Sequence, residues 1–246
     1  MNSSHSGVFS DAIESIAVCA RHYCSVAVFC LRLGVAMLFT SALLGGCAAL
    51  PDKPSRATMY DFGPGALPAL MPEKPGAAQA LLRPLAIDDI STAGGALDNM
   101  AILYRLAYLD AQQLRPYSQA RWSMPPAQLV RQRLREQLSQ RRAVVDARDG
   151  LALNRSQGPL PLVLRLELEE FSQIFTAPDT SVGLIRLHAT LIETTPGGEK
   201  LLAQRSVLMQ RPASSADAAG GVRALAAATD AAISEIDQWV QQSALR

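Results

Sequence analysis

The stretch Leu162-Val-Leu-Arg-Leu-Glu-Leu-Glu-Glu-Phe171 decides the fold of this chain. Leucine occupies every second position from 162 to 168, and the charged residues Arg165, Glu167 and Glu169 fall between or beside these leucines. A period of two residues places the leucines on one face of a β-strand and the charged side chains on the other. The pattern therefore predicts a strand that packs one face against a hydrophobic core and leaves the other in water.

The residues that follow this strand predict a meander and a closing helix. Two further strands are predicted at residues 182–195 and 200–211, joined by the turn residues Thr195-Pro-Gly-Gly198. A short turn of this kind joins antiparallel neighbours. From residue 217 to 245, apolar side chains recur at three- and four-residue steps, which predicts a helix with one buried face: Val222, Leu225, Thr229, Ile233, Ile236 and either Trp239 or Val240.

A first helix is predicted to begin within Arg121-Trp-Ser-Met-Pro-Pro-Ala-Gln-Leu129. Ser123 is the expected cap, and the two prolines fall in the first turn, where no backbone donor is needed. The apolar stripe of this helix consists of Ala127, Val130, Leu134 and Leu138. The off-stripe arginines 131, 133 and 135 predict an ordinary solvated face, with attraction of phospholipid headgroups as the alternative.

The remaining segments predict four more strands, around residues 58–62, 81–90, 100–107 and 112–117, and a short segment around 143–147 is left unassigned. Residues 63–79 hold four prolines and three glycines and predict a loop. Pro84 suits the strand at 81–90 only near a sheet edge, and residues 100–107 and 112–117 are expected to form a hairpin. Together these elements predict a single α+β domain, with an antiparallel or mixed sheet and two main helices packed on one face.

The N-terminal part of the chain predicts export. An uncharged apolar run at residues 33–44 follows the basic residues Arg21, His22 and Arg32, and it ends in Leu44-Gly-Gly-Cys47. A cationic flank, a short apolar core and small residues before the cut are typical of a signal peptide. The cysteine at the cut makes Leu44-Gly-Gly-Cys47 resemble the lipobox of a bacterial lipoprotein.

Cleavage between Gly46 and Cys47 would divide the chain into three parts. We expect residues 1–46 to be the signal peptide, 47–57 a tether lipidated at Cys47, and 58–246 the working domain. Several acyl chains on one cysteine give durable attachment to a membrane. In lipoproteins that resemble this one, the residue after the cysteine influences sorting. Here it is Ala48 and not the Asp associated with inner-membrane retention, which favours the outer membrane.

Two alternatives for this region stay open. Residues 33–50 give eighteen positions without a charge, near the lower limit for an uncleaved spanning helix. The glycine pair before Cys47 has no purpose in such a helix, whereas a peptidase cleft requires small residues. Asp11 and Glu14 fit a signal peptide poorly, so either the true start lies downstream of Met1 or the leader is unusually long.

Composition excludes several classes of site in the mature chain. Three of the four cysteines lie in the leader, so no disulfide or cysteine-based metal site is expected within the domain. After residue 46 the chain keeps 21 basic and 20 acidic residues, without the excess of positive charge that is typical of nucleic-acid binding. The 200 residues that remain suit one domain with a sizeable core.

A search for catalytic motifs finds none. Phosphate-binding Gly-Lys-Ser/Thr loops, G-x-S-x-G elbows and H-E-x-x-H helices are absent from the sequence. The one mature histidine, His188, lies within a predicted strand, where we expect a local partner; a hydrolase that uses it as a base is the alternative. Glu169 and Glu170 are successive strand residues that point to opposite faces. We therefore expect no catalytic residues, no metal site and no cofactor.

Several short motifs, taken in order, resemble the ABC-type transport auxiliary lipoprotein family. That resemblance spans nearly all of residues 47–246. The motifs that carry it are Tyr60, Tyr104-Arg105, Leu114-Arg-Pro-Tyr117, Arg121-Trp122, Pro125-Pro-Ala-Gln-Leu129, Leu166-Glu-Leu-Glu-Glu-Phe171, Leu201-Leu-Ala-Gln-Arg205, Ala224-Leu225 and Trp239.

The resemblance implies a non-catalytic lipoprotein of the outer membrane that faces the periplasm. Its implied partners are an MCE-domain protein with an ABC permease and ATPase, which move phospholipid or other hydrophobic compounds, and outer-membrane lipid through the acyl anchor. No nucleic acid is implied, and a homo-oligomer is compatible with this role. An independent structural or assembly lipoprotein of the same envelope is the alternative.

The resemblance also suggests residues for partner binding, because Trp, Tyr and Arg often anchor interfaces. The candidates are Tyr104, Arg105, Tyr117, Arg121 and Trp122. The alternative is that Trp122 and Tyr104 seal the first helix onto the sheet.

Overall fold

Four segments carry the fold in the computed structural model, which describes residues 56–64, 82–147, 160–195 and 197–244. The predicted signal peptide, the cleavage site at Gly46 and Cys47, and the tether as far as residue 55 lie outside the described residues. So does most of the predicted loop at 63–79. Residues from Arg56 onward form one compact unit. No helix in these four segments has the length and apolar character required to cross a membrane.

The described residues contain nine strands, two main helices and one short 3-10 turn at Gly95–Leu97. In chain order the elements are β1 (Thr58–Tyr60), β2 (Leu85–Ile87), β3 (Ser91–Thr92), β4 (Ala101–Leu106), β5 (Asp110–Trp122), α1 (Pro126–Ser139), β6 (Val144–Asp146), β7 (Leu162–Ala177), β8 (Thr180–Thr195), β9 (Gly198–Pro212) and α2 (Ala218–Ala244).

The strand predicted from the alternating leucines, β7, is the centre of a mixed sheet. Along one side it pairs with β8, which pairs in turn with β9, so the predicted antiparallel meander is confirmed. Along its other side it pairs with three short strands, β2, β3 and β4, all parallel to it. Beyond these, β6 is parallel to β2, while β5 is antiparallel to β4 and carries β1 at its edge. The α+β class with a mixed sheet is therefore confirmed.

One face of the sheet is buried under both helices. The alternating leucines of β7 lie on this inner face, and Leu187 and Leu191 of β8 lie beside them, all without appreciable exposure. Side chains of both helices join the same apolar cluster, including Leu134 of α1 and Ile233 of α2. Burying each such side chain contributes about 1.5–3 kcal/mol relative to leaving it in water. The alternation in the sequence thus reflects one apolar face and one solvated face, as predicted.

The structure corrects the prediction for residues 81–90. Only Leu85–Ile87 of this segment forms a strand, β2, which lies between β7 and β6, and β3 follows just after the segment. Among the described strands, β6 is the last on this side, so Pro84 lies one strand in from an edge. It directly precedes β2 and contributes only its carbonyl, which accepts a hydrogen bond from the Leu162 N–H at 3.0 Å. The missing N–H of proline costs nothing at this position, because no partner strand requires it.

The start of α1 also differs from the prediction. β5 is longer than expected and continues to Trp122, and the helix begins only at Pro126 with no side-chain cap. Ser123 does not cap it, because the residue at the cap position is Pro125; the backbone N–H of Ser123 donates to the Tyr60 carbonyl of β1 at 2.7 Å. The proline pair does fall at the start of the helix, as predicted, and the apolar stripe of α1 is buried.

The arginines of α1 do not form a solvated face. Arg133 is buried and donates to the Asp230 carboxylate of α2 at 2.8 Å. Arg131 and Arg135 both pair with Asp146, at the end of β6. These three side chains therefore bind α1 to its neighbours, which the sequence of α1 alone does not indicate.

Candidate docking surface

Trp122, one of the five residues suggested for partner binding, lies in the core. Its side chain is 1% exposed. The ring centroid lies 5.7 Å from that of Phe62, edge-on, and 5.6 Å from that of Phe171 on β7. Because no partner reaches a fully buried ring, this environment favours the alternative that Trp122 seals α1 and β1 onto the sheet.

Tyr104 and Tyr117 form a second aromatic cluster, near the start of α2. Their ring centroids are 4.6 Å apart, and Phe175 lies 6.0 Å from Tyr104. The Tyr117 hydroxyl donates to Gln173 Oε1 at 2.9 Å, and Gln173 Nε2 donates to Ser181 Oγ at 2.7 Å. Burial, together with the nearby Tyr104 and Asp217, raises the pKa of Tyr117 to about 12. The hydroxyl thus stays protonated and acts as a fixed donor in this chain of hydrogen bonds.

Arg105 lies next to Tyr104 in sequence but makes its contacts elsewhere. Its Nη2 donates to Glu170 Oε2 of β7 at 2.9 Å. Its Nη1 donates to the carbonyls of Ala111 and Gln112, at 3.2 and 3.1 Å. Arg105 therefore fastens the β4–β5 hairpin to the central strand and has few donors left for a partner.

Arg121 is also engaged with the protein itself. Its Nη1 donates to the carbonyl of Tyr117 and, at 2.9 Å, to that of Ala120. Of the five candidates, Trp122 lies in the core, and only Tyr104 and Tyr117 contact each other. The other two, Arg105 and Arg121, form hydrogen bonds elsewhere in the domain. The partner-binding role of the five stays a prediction, and Trp122 adds no accessible area to it in this conformation.

The sequence pattern did not single out the exposed large apolar side chains of the described residues, which include Met59 and Met100 at 54% and 44%. Tyr108 and Leu109, in the turn between β4 and β5, are 40% and 69% exposed. Leu201 and Leu208 on β9 are 56% and 47% exposed. Their exposure depends on the turn and on the face of the sheet, which become visible only once the register of the strands is known.

Two grooves flank α1. One, of about 660 Å³, separates α1 from α2, and nine of the twelve described residues that line it are polar or charged, among them Arg133, Glu136 and Asp237. The other, of about 640 Å³, lies between α1 and the 3-10 turn and is lined by Asp89, Asp98 and Arg131 among others. Both grooves thus combine charged side chains with apolar surface, from Leu138 and Ile233 in the first and from Ile90 and Leu97 in the second.

The helices are also joined by a buried ion pair that the sequence did not reveal. Arg142, just after α1, is almost fully buried, and its Nη2 donates to Asp237 Oδ1 of α2 at 2.7 Å. Asp237 also accepts from Arg141 Nη1 and from Gln241 Nε2. Burial lowers the pKa of Arg142, and the neighbouring Asp237 opposes this shift.

His188 has the local partner that its position predicted. Its Nδ1 lies 3.2 Å from the Ser206 hydroxyl on β9, and Glu167 of β7 occupies the paired position on the other side. This row crosses the outer face of the sheet, away from both grooves. Within the four described segments, no three His, Cys, Asp or Glu side chains are grouped to hold a metal ion.

The chain is similar to known proteins in both sequence and fold. The family model of the ABC-type transport auxiliary lipoprotein component matches residues 66–237. Among solved structures, the chain is similar to a DUF330-family protein of Xanthomonas campestris, with 18% identity and a TM-score of 0.54, covering 66% of this chain and 86% of that one. It is also similar to the crystal structure of an uncharacterized protein, with 14% identity and a TM-score of 0.52, covering 76% and 99%. No curated protein matches the sequence.

At these identities the two solved structures share the fold and carry no information on activity. The family match is of a different kind, because it rests on the sequence and extends from residue 66 to Asp237 within α2. Since it covers well over half of the residues, the chain belongs to the ABC-type transport auxiliary lipoprotein family.

Proposed function

We propose that this chain is the outer-membrane lipoprotein of an ABC/MCE-type envelope transport system that moves phospholipid or other hydrophobic compounds. In this role it is a binding and docking component and not an enzyme. The observation that carries the proposal is the family match over residues 66–237 on a chain that also contains the lipobox Leu44-Gly-Gly-Cys47.

The anchor gives this role a physical basis. Lipid does not cross water unaided, so a protein route between two membranes must be fixed at both ends. A single acyl chain binds a membrane only marginally, at about 0.8 kcal/mol per buried methylene, whereas several chains on one cysteine hold permanently. Acylated Cys47 followed by Ala48 would fix the domain to the outer membrane on the periplasmic side, where an MCE-domain protein and its permease and ATPase could reach it.

The surface of the domain is consistent with protein docking. The groove between the helices is rimmed by charged side chains and opens to solvent beside Glu136 and Arg141. Charged rims of this kind direct association and partner choice more than they add affinity. Ser123, just before α1, and Gln128, in its first turn, are exposed at the other end of this helix and offer positions from which a partner along α1 can be trapped.

The test is photo-crosslinking in cells, with a crosslinking amino acid at Ser123 or Gln128 and a matched control at Glu199, an exposed position on β9. We expect adducts with an MCE-domain protein from the two α1 positions and none from position 199. Adducts only with assembly proteins would support the structural or assembly lipoprotein instead.

Membrane fractionation of the same cells tests the location. We expect the protein in the outer-membrane fraction. Recovery with the inner membrane or in the soluble fraction would contradict the proposal.

A further inference from the structure

The turn between β4 and β5, called the hairpin tip here (residues 107–110), presents apolar side chains to solvent in a fixed geometry. Leu109 is the most exposed large hydrophobic side chain in the described part of the chain, and Tyr108 lies beside it. The turn is held by the Leu109 N–H, which donates to the Leu106 carbonyl at 2.9 Å, and by the Ala107 N–H, which donates to Phe175 of β7 at 2.9 Å. The pair is therefore displayed by a rigid support.

Arg105 makes this support continuous with the sheet. By pairing with Glu170 and donating to the carbonyls of Ala111 and Gln112, it fastens both strands of the hairpin to β7. An exposed Leu–Tyr pair on a rigid turn costs free energy in water and gains it back where apolar surface is covered. This favours an apolar environment for the tip in the working protein.

The charges around the hairpin tip are compatible with a lipid surface. Between residues 106 and 114 the only Asp, Glu, Lys, Arg or His is Asp110, whose carboxylate accepts the Gln112 N–H at 2.9 Å. Further along β5, Arg115 is bonded to neutral Gln113 and has no carboxylate partner among the described residues. Tyrosine is enriched at membrane interfaces, and arginine there extends its charged end toward the headgroups. The opposite end of the sheet instead carries the ion pairs Arg83–Glu193 and Arg165–Glu199.

Chain direction relates the tip to the lipid anchor. β1 is parallel to β5, with Thr58 opposite Ala120, so the chain enters β1 from the side of the hairpin tip. β5 is bulged, so its residues 110–121 lie beside only residues 101–106 of β4, a rise of about 17 Å at 3.3 Å per residue. The eleven residues 47–57 span at most about 40 Å when fully extended. On this side, the tether is long enough for the hairpin tip to reach the membrane that holds Cys47.

We propose that the hairpin tip is a second membrane contact, in which Tyr108 and Leu109 enter the interface of the leaflet that holds the acyl chains of Cys47. The inference rests on the lipid anchor of the proposed function. It fixes the orientation of the domain, with the β4–β5 end toward lipid and the Arg165–Glu199 end toward the periplasm. A protein partner on the tip is the competing outcome.

The test uses the acylated mature protein in vesicles of phosphatidylethanolamine and phosphatidylglycerol. Leu109→Cys carries an environment-sensitive fluorophore, and Leu201→Cys, similarly exposed at the other end of the sheet, is the matched control. The remaining cysteines are lost with the leader or acylated, so each variant has one free thiol. We expect a blue-shifted emission at position 109 that a lipid-borne quencher suppresses, and neither effect at position 201.

Each other result counts against the inference. If position 109 matches position 201 in vesicles that float with the protein, the anchor stands and the tip contact is overturned. If position 109 becomes shielded only after the MCE-domain protein is added, the tip docks protein and the lipid contact is again overturned. If neither variant floats with the vesicles, the anchor at Cys47 has failed, and the inference falls with it.

Discussion

The two faces of the sheet are built from the same strands but differ in burial and in the polarity of their side chains. On the inner face, Leu164 of β7 and Leu187 of β8 are fully buried under the helices. On the outer face, the intervening residues form polar rows, such as Glu167, His188 and Ser206 across β7, β8 and β9. The inner face supplies the free energy of folding, while the outer face and the hairpin tip are free to meet a partner or a membrane without cost to stability.

Replacement of an inner-face aromatic should have the largest effect. Trp122→Ala removes a ring that packs against Phe62 and Phe171 and leaves a cavity, so we expect a loss of about 3–5 kcal/mol in the free energy of unfolding. The matched control is Leu208→Ala on the outer face, which is already half in water and should change little. Urea unfolding followed by circular dichroism measures both. Equal losses in the free energy of unfolding from the two variants would contradict the distinction between the inner and outer faces.

The ion pair between the helices extends the comparison to charged groups. Asp237→Ala leaves Arg142 buried without its carboxylate, for which we expect a loss of about 3–5 kcal/mol. Glu235→Ala releases Arg205 in a more exposed pair on α2 and β9, and we expect a loss of about 0–1 kcal/mol. The same urea experiment ranks the two variants. A loss from Glu235→Ala as large as that from Asp237→Ala would contradict the greater burial of the Arg142–Asp237 pair.

Close packing of α2 against the inner face depends on Gly183. A Cβ atom at this position would lie 2.5 Å from the Leu225 backbone nitrogen, so Gly183→Ala must push the helix away from β8, and we expect a loss of about 1–3 kcal/mol. Gly94→Ala is the control, because nothing lies within 4 Å of its Cβ position. Thermal unfolding measures both variants. A lower midpoint for Gly94→Ala but not for Gly183→Ala would contradict the close packing of α2 on Gly183.

The smallest effect concerns the first turn of α2 and depends on pH. Asp217 Oδ1 accepts the Gly220 N–H at 2.7 Å and the Ser215 hydroxyl at 2.7 Å, and these bonds lower the pKa of its carboxyl group. The stabilisation is therefore present above the unfolded-state pKa of about 4 and is lost as the pH falls through the lower folded-state value. Asp217→Asn should flatten the acid side of the stability profile. An unchanged profile would contradict the capping role of this carboxylate.

Elements with a local sequence pattern were predicted correctly. The alternation at residues 162–168 specified the central strand and its buried face, and the Thr195–Gly198 turn specified the meander, with Gly198 at φ 121° as the tight turn requires. The stripe of α1 was found because helical spacing records which side chains face the core.

The predictions that were wrong all involve partners that are remote in sequence. β2 and β3 exist because β7 offers them a parallel edge, and β5 extends to Trp122 because β1 pairs with its last three residues. Arg133 is buried because Asp230 lies across from it, nearly a hundred residues away. For the same reason, the residue types suggested a docking site at Trp122, whereas the exposed Tyr108 and Leu109 stood out only once the turn was in place.

The identity of the mature N-terminus tests the central claim most directly. Mass spectrometry of the N-terminal peptide, from protein purified out of membranes of cells expressing the full-length chain, should find a peptide that begins at Cys47 and carries the added mass of acyl chains. A peptide that begins upstream of Cys47, or a Cys47 without acyl chains, would contradict the account of an acyl-anchored transport lipoprotein.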